Sequence, residues 1–189
     1  MLPLRRWIWA FPLLAAAAPA RAQSALPPQA EAPILLRILA YDRALSRKPG
    51  DNLVIAILYD LANGASNHSR VAMGRAFRAA PVQSIGGRTL KYVELNMAAA
   101  NVADALRQES VAAAYVTAGM GDRLPGIVSA AEAGRVTTLG GSMYYARRGV
   151  AVAVDTVAGR PQIFVNLSAA RASGADLTSS LLKLATVFQ

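Results

Sequence analysis

Two unbroken apolar runs constrain this chain most. Leu53-Val54-Ile55-Ala56-Ile57-Leu58-Tyr59 and Val111-Ala112-Ala113-Ala114-Tyr115-Val116-Thr117 show no alternation between polar and apolar residues. A strand with one wet face alternates, whereas a strand covered on both faces does not. The runs therefore read as central strands of a parallel sheet with helices on both sides. The segments between and around them agree. Ile34, Leu35, Ile38, Leu39, Tyr41 and Leu45 recur at helical spacing, and Lys48-Pro49-Gly50 is a stop signal. A second helix is expected with Asn67 or Ser69 as its cap and Val71, Met73, Ala76 and Phe77 as its apolar stripe, ending before Pro81.

Further along, Leu90 to Leu95 reads as a strand after the turn Gly86-Gly87, and Asn101 to Gln108 as a short helix. Leu124 to Ala133 reads as a helix closed by Gly134, and Val136 to Leu139 as a strand. Val150 to Val157 and Gln162 to Val165 flank the turn Ala158-Gly159-Arg160-Pro161 and read as an antiparallel hairpin. A last helix is expected to carry Leu177, Leu181, Leu184 and Phe188 on one stripe. Alternating strands and helices predict a single-domain α/β three-layer sandwich, with a mixed, mostly parallel sheet flanked by helices and a C-terminal antiparallel hairpin.

The N-terminus is of another kind. Arg5-Arg6, an apolar stretch from Trp7 to Ala18 and the exit Ala20-Arg21-Ala22 have the three parts of a secretory signal peptide. The apolar stretch is roughly a dozen residues, against about 20 for a membrane-spanning helix. The expected division is residues 1–22 as signal, cut after Ala22, residues 23–33 as a mobile leader rich in proline, and residues 34–189 as the folded domain. The arginine pair also fits a twin-arginine route, but Trp7-Ile8-Trp9 suits that pattern poorly, so the general secretory route is the default. The expected location is the periplasm, with no direct membrane anchor, since the chain has no cysteine to carry a lipid.

Chemistry is sparse. The chain is formally +9, and cleavage would remove three arginines and no acid. Its basic residues are scattered with few aromatics among them, which argues against nucleic acid as a partner. With no cysteine there is no disulfide and no thiolate nucleophile. His68 is the single histidine and has no acid beside it in sequence, so a surface or capping role is expected and no metal site is read. Gly140-Gly141-Ser142-Met143-Tyr144 lacks the second glycine of a nucleophile elbow. Gly119-Met120-Gly121 follows a strand but position 124 is leucine, so the dinucleotide fingerprint fails. No catalytic residue, metal or cofactor is assigned. A hydrolase built on Ser142 or Asp60 is the weakest reading.

What remains is the place where open α/β sheets bind ligands, beyond the carboxyl ends of their strands. The loops there offer Asp60, Asn63, Thr117, Asp122, Ser142, Tyr144, Arg147 and Arg148. The stretch Tyr144-Tyr145-Ala146-Arg147-Arg148 stands out, because tyrosine and arginine are favoured interface anchors. Turn chemistry and a solvated segment explain the same residues equally well.

The last third resembles the YfiR-like family of periplasmic regulators. Gln162-Ile163-Phe164-Val165-Asn166-Leu167, followed by Ala169-Ala170-Arg171, is similar to the family's last strand and following helix. Ala175-Asp176-Leu177-Thr178-Ser179-Ser180-Leu181-Leu182-Lys183-Leu184-Ala185 is similar to its closing helix, and Gly140-Gly141-Ser142-Met143 to the segment before its hairpin. Leu53 to Leu58 and Gly87-Arg88-Thr89-Leu90 resemble its first strand and the entry to its second. The resemblance runs in order over most of residues 33–188. The first helix departs from it, lacking the family's Trp-Pro ending, and so does the absence of cysteine, which rules out disulfide-based redox control.

The resemblance implies a small, often dimeric α/β domain that acts by binding, so a homodimer is one expected assembly. It implies repression of a membrane-bound diguanylate cyclase through the periplasmic sensor domain of that enzyme, coupling an envelope signal to intracellular cyclic-di-GMP. The alternative is a periplasmic small-molecule-binding protein that uses the loops at the strand ends.

Overall fold

The structure, a computed structural model, describes residues 26–48, 50–98 and 101–189. The signal peptide and its cleavage point lie outside the described residues. Eight strands form one sheet, β1 (Asn52–Tyr59), β2 (Ser84–Ile85), β3 (Arg88–Asn96), β4 (Val111–Val116), β5 (Thr137–Gly140), β6 (Val152–Val157), β7 (Arg160–Asn166) and β8 (Thr186–Phe188). Their order across the sheet is β2-β3-β1-β4-β5-β6-β7-β8. The pairs β3·β1, β1·β4, β4·β5, β5·β6 and β7·β8 are parallel, while β2·β3 and β6·β7 are antiparallel. The sheet is thus mixed and mostly parallel, as the apolar runs require.

Helices cover both faces: α1 (Pro28–Leu39), α2 (Arg43–Ser46), α3 (Gly64–Ala79), α4 (Val102–Gln108), α5 (Leu124–Gly134), α6 (Met143–Arg147), α7 (Leu167–Ala172) and α8 (Ser179–Leu182). Successive strand residues point to opposite faces, and β1 divides its side chains accordingly. Leu53, Ile55 and Ile57 join a core under α1 and α3 with Leu35, Leu36, Met73 and Phe77. Ala56 and Leu58 join a second core under α4 and α5 with Leu106, Leu124, Ile127 and Ala131. Every residue of β4 is buried. The β6–β7 turn is the two-residue loop Ala158-Gly159, with φ of 50° and 77°. Positive φ at both positions is what a type I′ hairpin turn needs.

Several expectations need correction. Residues 28–33 are not a mobile leader but the first half of α1, where Glu31 and Ala32 are buried. Pro28 occupies the start of that helix, where its missing N–H costs nothing. The predicted first helix breaks after Leu39, because buried Asp42 turns its carboxylate to other donors. It accepts from the amides of Ala44 and Asp176, at 2.9 and 2.8 Å, and from the Thr137 hydroxyl at 3.1 Å. The cap of α3 is Asn63, not Asn67 or Ser69. The helix α5 is closed by Arg135 in the left-handed conformation rather than by Gly134.

The C-terminus differs most. The expected closing helix shrinks to α8, which leaves Leu184 70% exposed, and Phe188 sits in strand β8 stacked on Phe164 at 6.1 Å. Thr186-Val187-Phe188 is β-branched and aromatic, a strand composition, and the free edge of β7 supplies its hydrogen-bonding partner.

Candidate functional site

From β1 the chain crosses to β3 on one side, then returns to β4 on the other. The loops leaving β1 and β4 therefore diverge, and a crevice opens at this switch point. Asp60, Asn63 and Thr117 meet there, but as fasteners. The Asp60 amide donates to Ser66 Oγ at 2.9 Å, Ser66 Oγ is 2.6 Å from Thr117 Oγ1, and Thr117 Oγ1 donates to the Leu58 carbonyl at 2.8 Å. The Asp60 carboxylate accepts from Ala62 N–H at 2.9 Å and forms an ion pair with Arg123 at 2.8 Å. Asn63 caps α3 through the Ser66 amide at 3.0 Å and donates from Nδ2 to the Gly119 carbonyl at 3.1 Å. Gly119 has φ +78°, and a Cβ there would stand 2.5 Å from Asn63 Oδ1, so both the turn and the close approach require glycine.

The other predicted residues lie apart. Asp122 is exposed on the 3-10 turn Gly121–Arg123. The Tyr144–Arg148 stretch, expected as loop, is largely the short helix α6. Ser142 caps it, accepting from the Tyr144 amide at 3.2 Å. Arg148 hydrogen-bonds the exposed Tyr144 hydroxyl and lies 5.2 Å from its ring centroid, while Arg147 lies 5.4 Å from the Phe188 ring. Tyr145, by contrast, is buried. Its hydroxyl donates to the Thr117 carbonyl and accepts from the Met120 amide, both at 2.9 Å.

Beside these fastened loops is a cavity of about 650 Å³, within the size range of small-molecule sites. Its walls are Leu26, Pro27, Pro28 and Glu31 from α1 and its approach, and Ala65, His68, Ser69, Ala72 and Met73 from α3. Tyr115, Ala118, Gly119, Gly141, Ser142 and Tyr145 complete it from the carboxyl ends of the strands. Of the eight residues singled out from sequence, Ser142 alone lines it. His68 is an exposed residue on its wall rather than a cap.

Glu31 is the unusual member. It is 5% exposed, and its Oε1 is buried without a hydrogen-bond partner. Burial pushes its carboxyl up to about 7, the nearby Tyr115 hydroxyl opposes part of that rise, and the Asp155 carboxylate adds to it. Burial also holds Tyr115 well above the ordinary tyrosine range, helped by the charge of Glu31. A Cβ on Gly141 would lie 2.7 Å from Glu31 Oε1 and 3.1 Å from the Tyr115 hydroxyl oxygen, so a larger residue there would push against both groups. Sequence reasoning missed Glu31 because it fell among prolines. The signal was present: Glu31, Leu35 and Ile38 share the helical stripe, and an acid on a buried stripe marks a polar group with a task.

Among the described residues no group of three or more His, Cys, Asp or Glu gathers as a metal site, and no helix is long and apolar enough to cross a membrane.

The model of the YfiR/HmsC-like family matches residues 28–186. Among curated proteins none matches the sequence. Solved structures share the fold at low identity. One is described as an ABC domain in complex with L-Trp from Streptococcus pneumonia, with a TM-score of 0.57 and 13% identity, covering 85% of this chain and 61% of that one. Another, a conserved domain protein from Vibrio cholerae, has a TM-score of 0.59 and 15% identity over 86% of this chain and 60% of that one. A third is the ligand-free, open form of a substrate-binding protein with adhesive properties from Clostridium difficile. It has a TM-score of 0.52 and 11% identity over 72% of this chain and 54% of that one. The chain therefore spans less than two thirds of each of these proteins, and at such identities the likeness concerns the fold. By its match over residues 28–186, the chain belongs to the YfiR/HmsC-like family.

Proposed function

We propose that this protein is a periplasmic regulatory binding protein that modulates an inner-membrane signalling protein, such as a diguanylate cyclase, through its periplasmic sensor domain. The observation that carries the reading is family membership over residues 28–186. The carboxyl-end loops supply a surface for such a partner. Leu61 and Tyr144 are 58% and 51% exposed there, with Asp122, Arg147 and Arg148 also exposed. In this reading the protein acts by binding, and Asp60, Asn63 and Thr117 hold the loops in place rather than touch the partner. Pull-down from membranes should recover a membrane-bound sensor or cyclase, and deletion should change cyclic-di-GMP. Recovery of neither, with unchanged cyclic-di-GMP, would overturn the proposal.

A second reading, small-molecule binding, is favoured by the cavity at the switch point. Proteins of the same fold described as substrate-binding or in complex with L-Trp are in keeping with it. A ligand that binds only the folded state raises the unfolding midpoint, so a metabolite panel read by thermal unfolding tests it. A flat panel counts against it.

A further inference from the structure

The chain has 20 lysines and arginines against 11 acids, yet no lysine or arginine lines the cavity. The carboxylate on its wall is Glu31, with Oε1 buried and unpartnered. A buried acceptor without a donor is costly, and a buried charge without a counter-charge more so. Asp155 on β6 acts on Glu31 as a second negative charge, which disfavours an anion in the cavity. A metal ion would need several oxygen or nitrogen ligands, and no such cluster occurs among the described residues. An ammonium group needs less. One carboxylate neutralises it, and the hydroxyls of Tyr115 and Ser69, also on the cavity wall, can accept its remaining N–H groups. The alanine, proline and methionine surfaces around them suit an apolar body.

We propose that this cavity binds a small organic ammonium ion with an apolar body, and that the Glu31 carboxylate is its counter-ion. The inference rests on the small-molecule reading and names the ligand class for it. Binding takes the ionised form of Glu31, whose carboxyl burial pushes up to about 7, so uptake releases a proton and affinity rises with pH. The other titratable groups facing it are His68 on α3, Tyr115 on β4, Tyr145 on α6 and Asp155 on β6. Burial holds both tyrosines above their ordinary range, leaving His68 as the group to separate.

Isothermal titration calorimetry of the purified chain at pH 6 and pH 8, with phenethylamine, phenethyl alcohol and 3-phenylpropionate, tests this. The amine should bind at least about tenfold more tightly than the alcohol, since a buried ion pair is lost, and the carboxylate should not bind. Amine affinity should rise about tenfold from pH 6 to pH 8, following the ionised fraction of Glu31, with proton release seen as a buffer-dependent heat. E31Q should lose both the amine preference and the pH dependence, and H68N should keep both. If the alcohol or carboxylate binds as tightly as the amine, or affinity falls with pH, the counter-ion role is overturned while the cavity remains a ligand site. If none of the three probes binds, and a wider set of aliphatic and aromatic amines also leaves the unfolding midpoint unmoved, this proposal and the small-molecule reading fall together. The partner reading stands or falls separately, on the membrane pull-down.

Discussion

Two buried acids sit at the carboxyl end of the sheet, and they are treated in opposite ways. Asp60 is 8% exposed and fully engaged, with Ala62 N–H on one oxygen and Arg123 on the other. Glu31 is 5% exposed and has an oxygen with no partner. The hydrogen bonds at Asp60 close its own turn through Ala62, tie its amide to Ser66 on α3 and reach the β4 loop through Arg123. Its geometry is therefore complete without a ligand, and its task is to fix the corner where β1 and β4 part. Glu31 stands on a long helix packed on the core, with a glycine opposite it and open volume beside it. The sequence draws no such distinction, because both are single acids next to apolar runs. The difference lies in how many donors each acid found inside the fold: both oxygens of Asp60 are engaged, whereas Glu31 has the Tyr115 hydroxyl and an Oε1 left without a partner.

That contrast has a sign in solution. In the folded chain Glu31 keeps its proton up to about 7, against an ordinary value of 4.5. Folding therefore takes up a proton between those two pH values. The stability this group contributes is fully present below pH 4.5 and is lost as pH rises through 7. A shift of this size corresponds to about 3 kcal/mol. E31Q should match the wild type near pH 4.5 and exceed it by up to about 3 kcal/mol near pH 8, in urea unfolding. Parallel profiles for the two proteins would mean that Glu31 is already neutralised from within, and the contrast with Asp60 would fail.

Asp60→Ala should behave the other way, losing about 1–2 kcal/mol near neutral pH. The loss is held to that range because Arg123 is half-exposed and regains water when its partner goes. A loss as small as that of an exposed residue would show that the loop corner does not depend on Asp60.

The fold was legible where burial leaves a pattern. β1 and β4 announced themselves because a strand covered on both faces has no polar phase, and the β6–β7 hairpin because Ala158-Gly159 allows two positive φ values in succession. Two short elements, β8 and α6, were not legible. β8 has three residues and α6 five, too few for a period to repeat, and each is held by neighbours distant in sequence. Leu177, Leu181 and Leu184 fit a helical stripe as written, and the open edge of β7 acting on the β-branched and aromatic Thr186-Val187-Phe188 turns the chain into a strand instead.

The site was legible to the level of the loop and no further. The strand ends are where the crevice opens, but the direction of Asp60, Asn63 and Thr117 is set by Ser66, Gly119 and Arg123, which come from other elements. Glu31 was hidden for a different reason. Prolines at 27, 28 and 33 read as breakers, whereas the second of them starts the helix.

The smallest effect on stability is expected at the neighbouring tyrosines 144 and 145, where one residue separates a buried role from an exposed one. Tyr145 is 6% exposed and ties the β4 loop to α6 through two hydrogen bonds, so Tyr145→Phe should cost about 1 kcal/mol. Tyr144 is 51% exposed, and its contact is to Arg148 on its own helix, also at the surface. Tyr144→Ala should therefore change stability by less than about 0.5 kcal/mol. If the exposed face of α6 meets the membrane partner, the same substitution should sharply reduce recovery in the membrane pull-down, because exposed tyrosine and arginine side chains gain most when an interface buries them. Unchanged recovery with Tyr144→Ala and Arg148→Ala combined would move the docking surface away from α6.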